Sequence, residues 1–309
     1  MQLARRDILK AAALAAVPAR AAESRYQLAC ETLPYRGFPM QRALEGIRKA
    51  GYQYVCPTGR HANDPSFSVT QSASERAELK RRFADAGLKP VMAMAGLGIE
   101  FDKPGGIEQY CKELDLCADF GIRVNIGAGP WYYTKWPNIP MRDRDWQPLC
   151  DRYLAAMEKC VRHAETVKVI VAMKPHTGLT ANAKTCMKLV QRLVSPSFQI
   201  CWDAGNVSFY EGIWPDPDLP DLMPHVKGVC LKDHKGLRGE ANFPTPGQGQ
   251  IDHEGMFRTL FAGGFNGPLA LERVDGTDRA AQMTAEVIDQ RIEGAYQYLA
   301  PLLEKTARG

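Results

Sequence analysis

A chain of 309 residues, 45% of them hydrophobic, can bury a substantial core. Its 39 basic and 35 acidic residues leave a net charge of only +4, a balance that argues against a partner held by bulk charge, whether nucleic acid or an anionic membrane.

The first segment is set apart from the rest. Arg5-Arg6-Asp7-Ile8-Leu9-Lys10 precedes a short, mildly apolar run from Ala11 to Val17, and Ala19-Arg20-Ala21 follows as a small-x-small site. That order resembles a twin-arginine export signal ending at residue 21, and it implies a periplasmic protein. The apolar run is shorter than the about 20 residues needed to span a bilayer, so no membrane anchor is expected after cleavage. Residues 1–21 carry a net +3, so the remaining 288 residues are close to neutral. Nine cysteines lie in that remainder. An odd number leaves at least one thiol free, and the absence of a Cys-x-x-Cys pair argues against a zinc knuckle or a thioredoxin-type site. Cys56 and Cys201 fall inside apolar strand runs, where they read as small core residues.

From residue 22 onward, strand-like and helix-like segments alternate. Strands are expected over 26–32, 52–57, 89–95, 123–128, 168–174, 198–203, 227–232 and 269–273. Helices are expected over 40–50, 73–86, 106–120, 147–166, 181–194, 253–263 and 279–304. Ala50-Gly51, Ala86-Gly87, Phe120-Gly121 and Gly263-Gly264 stand where helices should stop. Eight strand–helix units without a composition break predict a single-domain α/β fold, a (β/α)8 TIM barrel of roughly the ~250-residue size typical of that architecture. An open doubly wound sheet is the alternative, but no Gly-x-Gly-x-x-Gly follows the first strand.

In such a barrel the active site forms where the strands end. Four strands of the C-terminal half close on polar residues: Lys174, Asp203, the Cys230-Leu231-Lys232-Asp233 segment and Glu272. His176 lies two positions past Lys174 and points the same way; it reads either as a substrate contact and proton shuttle near neutral pH, or as a hydrogen-bonded structural group. Glu31, near the end of the first strand, is either an extra carboxylate of the site or a rim charge. Long connections follow strands two, four and seven. The one after strand four, Gly129-Pro130-Trp131-Tyr132-Tyr133-Thr134-Lys135-Trp136, is dense in aromatic rings. Stacking on a sugar would account for it, with Trp131 as the contact; so would a packed lid.

Five segments in order carry a family resemblance: Lys174-Pro175-His176, Asp203-Ala204-Gly205-Asn206, Cys230-Leu231-Lys232-Asp233, Glu272 and Gly247-Gln248-Gly249-Gln250-Ile251-Asp252. Together they resemble the sugar phosphate isomerase/epimerase family, the xylose isomerase-like TIM barrels, over essentially all of residues 22–309. The resemblance implies a divalent cation, Mn²⁺ or Mg²⁺, held by a strand-five Glu, a strand-six Asp, a strand-seven His and a strand-eight Glu. Here Asp203 and Glu272 match, while Lys174 and Cys230 replace the other two. A lysine among these carboxylates is expected to take the cation's place, leaving a site that is metal-free or weakly metal-binding.

The resemblance further implies a small-molecule carbohydrate partner and proton abstraction next to a carbonyl. Glu272 would be the base, Lys174 and His176 would assist, and Trp131, Asn206, Lys232 and His234 would bind substrate. Free sugars or their derivatives suit a periplasmic protein better than sugar phosphates. A lyase or hydrolase on oxidised sugars or glycosides is a chemical neighbour, and a carbohydrate-binding barrel without turnover is an alternative of another class. A metal-dependent endonuclease is disfavoured, since that chemistry needs a His-rich multi-metal cluster. An oligomer is compatible with the sequence.

Overall fold

The computed structural model describes residues 25–308, apart from 60, 63, 65, 97 and 279–281. The expected export segment lies outside the described residues. Eight strands form one sheet: β1 (Tyr26–Glu31), β2 (Tyr54–Cys56), β3 (Lys89–Pro90), β4 (Val124–Gly127), β5 (Ile170–Met173), β6 (Phe198–Trp202), β7 (Val226–Leu231) and β8 (Gly267–Leu271). They are all parallel and run in the order β3-β2-β1-β8-β7-β6-β5-β4. The ring closes just beyond β3. Ala93 N–H donates to Val124 O at 2.9 Å, and Ile126 N–H donates to Ala93 O at 2.7 Å. This is a TIM barrel in a single domain.

The helices are α1 (Met40–Lys49), α2 (Ala73–Asp85), α3 (Gly106–Asp119), α4 (Asp143–Val167), α5 (Ala183–Arg192), α6 (Ala204–Glu211), the short α7 (Leu219–Leu222), α8 (His253–Ala262) and α9 (Ala285–Ala307). A hairpin of Tyr133–Lys135 and Ile139–Pro140 decorates the loop after β4. None of the described helices is long and apolar enough to cross a membrane.

The expected strands all appear; several are trimmed by a residue or two at their ends, and 89–95 is cut to Lys89–Pro90. Beyond Pro90 the regular ladder of β3 gives way to isolated contacts: Val91 N–H donates to Val55 O at 3.2 Å, and bridges pair Met94 with Thr58 and Ala93 with Asn125. Helix α4 begins at Asp143 rather than at 147, with Asp143 and Asp145 favourably placed in its first turn. Helix α9 begins at Ala285, where the Thr284 hydroxyl accepts from Val287 N–H. Helix α6 was not expected. Its eight residues are Ala-Gly-Asn-Val-Ser-Phe-Tyr-Glu, a stretch with little helical periodicity.

Strand alternation sorts the side chains into two cores. Outward residues such as Val171, Met173, Ile200, Trp202, Val229, Leu231, Leu269 and Leu271 pack under the helices. Inward residues Ala29, Cys56, Met92, Ala172, Cys201, Cys230 and Ala270 fill the barrel. Cys56 and Cys201 are therefore core residues, as expected. All nine cysteines are free thiols.

Candidate active site

The same alternation dictates the layer above. Two residues past the inward Ala29, Ala172, Cys201, Cys230 and Ala270 come Glu31, Lys174, Asp203, Lys232 and Glu272, so all five turn into the mouth of the barrel. Each is buried, between 0% and 5% exposed. Lys174 Nζ donates to Glu272 Oε1 and stands 3.9 Å from Asp203 Oδ2. Lys232 Nζ lies 2.9 Å from Asp203 Oδ2 and also contacts Glu272 Oε2. Lys232 directs its hydrogen bond to Asn206 Oδ1 at 2.9 Å; the Asp203 Oδ2 and Glu272 Oε2 contacts are ionic, without a well-angled hydrogen bond. Two ammoniums and two carboxylates thus interlock, with Glu31 beside them.

Local structure fixes this arrangement. Asp203 caps α6, accepting from Asn206 N–H at 2.9 Å through Oδ1, which leaves Oδ2 for the lysines. The Asn206 amide then donates to Pro175 O at 2.7 Å, tying α6 to the end of β5. Gly205 makes room for Lys232, since a Cβ there would sit 2.3 Å from Lys232 Cγ. Below the layer, Cys230 Sγ donates to Glu31 Oε1 at 3.5 Å and lies 3.6 Å from Cys201 Sγ.

Burial lowers the Lys174 ammonium's proton affinity, but Glu272, with Cys230, Asp203 and Glu31, more than offsets this, and the group stays charged. Lys232 is likewise held charged against burial by Asp203 and Glu272. For Glu272 burial acts upward, yet Lys174 and Lys232 carry the carboxyl well below its ordinary range. Burial raises Asp203 above its ordinary value against the pull of Lys232. Glu31 goes the same way and further. Burial, and then the nearby Glu272 charge, push it well above its ordinary value. The site thereby shifts two carboxyl groups in opposite directions, Glu272 down and Glu31 up.

His176 is partly buried, and its Nδ1 lies 3.1 Å from the Lys174 carbonyl. Burial, with Lys174 nearby, pushes its pKa down to about 3. The ring is neutral near pH 7, donates from Nδ1, and presents Nε2 as an acceptor; it does not titrate in the neutral range expected of a shuttle. His234 is fully buried, with Nδ1 2.8 Å from Ser208 Oγ and Nε2 2.9 Å from Glu240 O. Both nitrogens are spent on the protein, so the expected substrate contact gives way to a loop-shaping role. Lys232, expected at the mouth as a binding residue, lies instead inside the ion cluster. Asn206 is buried against Lys232, and Trp131 is 44% exposed at the rim. Tyr210, not singled out in the sequence, stands 5.5 Å from His176, ring to ring; its place on the unexpected α6 hid it.

A parallel barrel with buried acids and bases at the C-terminal ends of its strands is the architecture of an enzyme site. Residues 44–291 match the family model described as the xylose isomerase-like TIM barrel, and the chain belongs to that family. It is 26% identical over 258 residues to L-ribulose-5-phosphate 3-epimerase UlaE of Escherichia coli (strain SMS-3-5 / SECEC), covering 80% of this chain and 86% of that protein. Among solved structures it resembles D-allulose 3-epimerase from Methylomonas sp. (TM-score 0.67, 14% identity, 91% of this chain and 99% of that one). It also resembles the IOLI protein solved with a zinc atom (TM-score 0.69, 14% identity, 91% and 99%).

Glu31, Cys230 and Glu272 offer ligand atoms within 4.8 Å of one another. On spacing alone they are a candidate metal triad. Their chemistry does not fit a resident divalent ion. Both Glu272 oxygens already meet ammonium groups, burial raises Glu31 well above its ordinary value, and burial keeps the Cys230 thiol well above its own. Two lysines stand where a cation's charge would be.

Proposed function

We propose that this protein is a sugar epimerase or isomerase that moves a proton next to the carbonyl of a ketose or keto sugar, with Lys174 and Lys232 supplying the positive charge. The observation that carries the reading is the interlocked cluster itself: a carboxylate, Glu272, touched by two buried ammoniums at the mouth of the barrel. The relatives named as sugar 3-epimerases support the substrate class.

A substrate carbonyl oxygen entering beside Lys174 and Lys232 takes over part of their charge and polarises towards them. Glu272, relieved of part of its ion pairing, gains basicity and removes the proton on the neighbouring carbon. The C–H electron pair forms the C=C bond of an enediolate, and the negative charge comes to rest on the oxygen facing the ammoniums. A proton is then returned from Lys174 or Glu31 to the opposite face or the adjacent carbon, and the proton taken up by Glu272 passes to that donor, which restores the charges of the site. His176 Nε2 accepts a hydrogen bond from a substrate hydroxyl, and Asp203 orients Lys232. The resemblance of residues 1–21 to a twin-arginine export signal supports a periplasmic setting for this activity; mass spectrometry of the N-terminus in a periplasmic extract tests it.

Incubation with D-fructose, D-tagatose, D-allulose or L-ribulose in D2O tests the chemistry. NMR should show deuterium at the carbon next to the carbonyl with wild-type protein and none with Glu272→Gln. Sugar binding without exchange in the wild type would make the chain a binding barrel and overturn the proposal.

A further inference from the structure

We infer that the site has a second compartment, an aromatic wall that takes a neutral second ring, so that the substrate is a glycosylated ketose or keto sugar rather than a free monosaccharide or a sugar phosphate. The inference rests on the epimerase reading for the reacting ring only.

The wall is continuous with the ion cluster. His176, bonded to the Lys174 carbonyl, is 5.5 Å from Tyr210 ring to ring. Tyr210 is in turn 5.9 Å from Trp131 and 5.2 Å from Trp136. These residues come from the connections after β4, β5 and β6, all at the same end of the barrel. A monosaccharide ring covers about one aromatic side chain, so a sugar seated over the lysines beside His176 leaves Trp131 and Trp136 uncovered. Trp131 is 44% exposed even though its edge packs against Trp136. A flat indole offered beside a polar pocket suits the apolar face of a second sugar or an aglycone.

Charge at the rim points the same way. Arg238 is committed to the wall. It donates from Nε to Tyr210 O at 2.7 Å and from a terminal nitrogen to Tyr133 Oη at 2.6 Å, and its guanidinium lies over the Tyr133 and Trp136 rings. Arg273, the other guanidinium beside the wall among the described residues, is paired through Nε and one terminal nitrogen with Asp275 and lies 4.0 Å from the Phe243 ring centre. Neither is free to hold a phosphate, and His176 is neutral. The Arg238 contacts also hold the rings rigidly, so little freedom is lost when a ligand stacks on them.

Isothermal titration calorimetry on the mature chain compares D-fructose with isomaltulose, turanose and leucrose, in which a glucose ring is joined to different positions of the fructose unit. At least one disaccharide should bind about tenfold tighter than D-fructose, the gain expected from one well-formed aromatic stack. Trp131→Ala should reduce the ratio of disaccharide to D-fructose affinity to about twofold or less, and Trp131→Phe should keep most of it. Equal affinities, no binding by any disaccharide, or a preference that survives Trp131→Ala overturns the inference. Deuterium exchange on D-fructose without a Trp131-dependent preference would sink the second compartment and leave the epimerase standing. Trp131-dependent binding without exchange would do the reverse.

Discussion

Lys174 and Glu272 are 98 residues apart in the chain and meet as a buried ion pair where β5 and β8 end. Neither is more than 5% exposed, so each depends on the other for the solvation it has lost. Removing one partner leaves an uncompensated buried charge. Lys174→Met should cost about 3–5 kcal/mol of stability by denaturant unfolding. The double variant Lys174→Met/Glu272→Gln should be destabilised by less than the sum of the two single changes, because it buries no orphaned carboxylate. Additive losses would mean that the pair is uncoupled.

The two lysines also predict how the protein treats metals. Wild-type protein, gently purified, should contain well under one divalent ion per chain, and its exchange activity should survive EDTA. Lys174→Glu replaces an ammonium with an oxygen donor beside Asp203 and Glu272, a set suited to Mn²⁺ or Mg²⁺. Elemental analysis of that variant after loading with Mn²⁺ should show a gain. Stoichiometric metal in the wild type would remove the lysines from the cation's role.

Much of this was legible in the sequence, and the reasons differ by residue. Eight strands were visible because buried parallel strands are apolar runs ended by turn residues. Lys174, Asp203 and Glu272 were visible because each breaks such a run at its end. Lys232 was legible as a substrate contact at the end of its strand, and its spacing of two from Cys230 gives it the parity of the site layer; its place inside the ion cluster depends on the Asp203 and Glu272 carboxylates that face it. The ambiguity over Glu31 was real, since a carboxyl at a strand end reads alike as rim or as core until burial is known. Helix α6 and Tyr210 were hidden. No hydrophobic period marks Ala204–Glu211, and the helix is fixed by its Asp203 cap and the Asn206 contacts at its start.

His176 supplies a pH dependence. Its folded-state pKa lies near 3, against an ordinary value of 6.5. Between those values the unfolded chain binds a proton that the folded chain refuses, so this residue's contribution to stability falls as pH drops below about 6.5 and stops changing below about 3. The slope from this one group should reach up to about 1.4 kcal/mol per pH unit. His176→Gln should flatten the urea midpoint between pH 6 and pH 4, compared with wild type. A variant that tracks the wild-type curve throughout would show that the ring is solvated.

Asp233 organises the loop after β7. Its carboxylate accepts from the N–H groups of His234, Gly247, Gly249 and Ile251, at 2.9–3.0 Å. Gly249 must lack a side chain, since a Cβ would fall 2.2 Å from Asp233 Oδ1. Asp233→Ala orphans all four donors and should cost on the order of 3 kcal/mol in thermal or chemical unfolding. Gly249→Ala should show a similar loop defect, read as faster proteolysis between β7 and α8. An unchanged cleavage rate in both would deny Asp233 this role.

The closure of the ring at Ala93 has a mechanical corollary. Five residue pairs join β1 to β8, whereas the β3–β4 seam rests on the short run around one alanine. That seam is the weakest stave joint of the barrel, and it lies away from the unbroken arc from β5 to β8 that carries both lysines, Asp203 and Glu272. Thermal breathing should therefore start at Ala93 and Ile126, whose amides exchange with solvent before those of Ala270 and Leu271. The molecule can flex on one flank while the charged constellation on the other keeps its spacing.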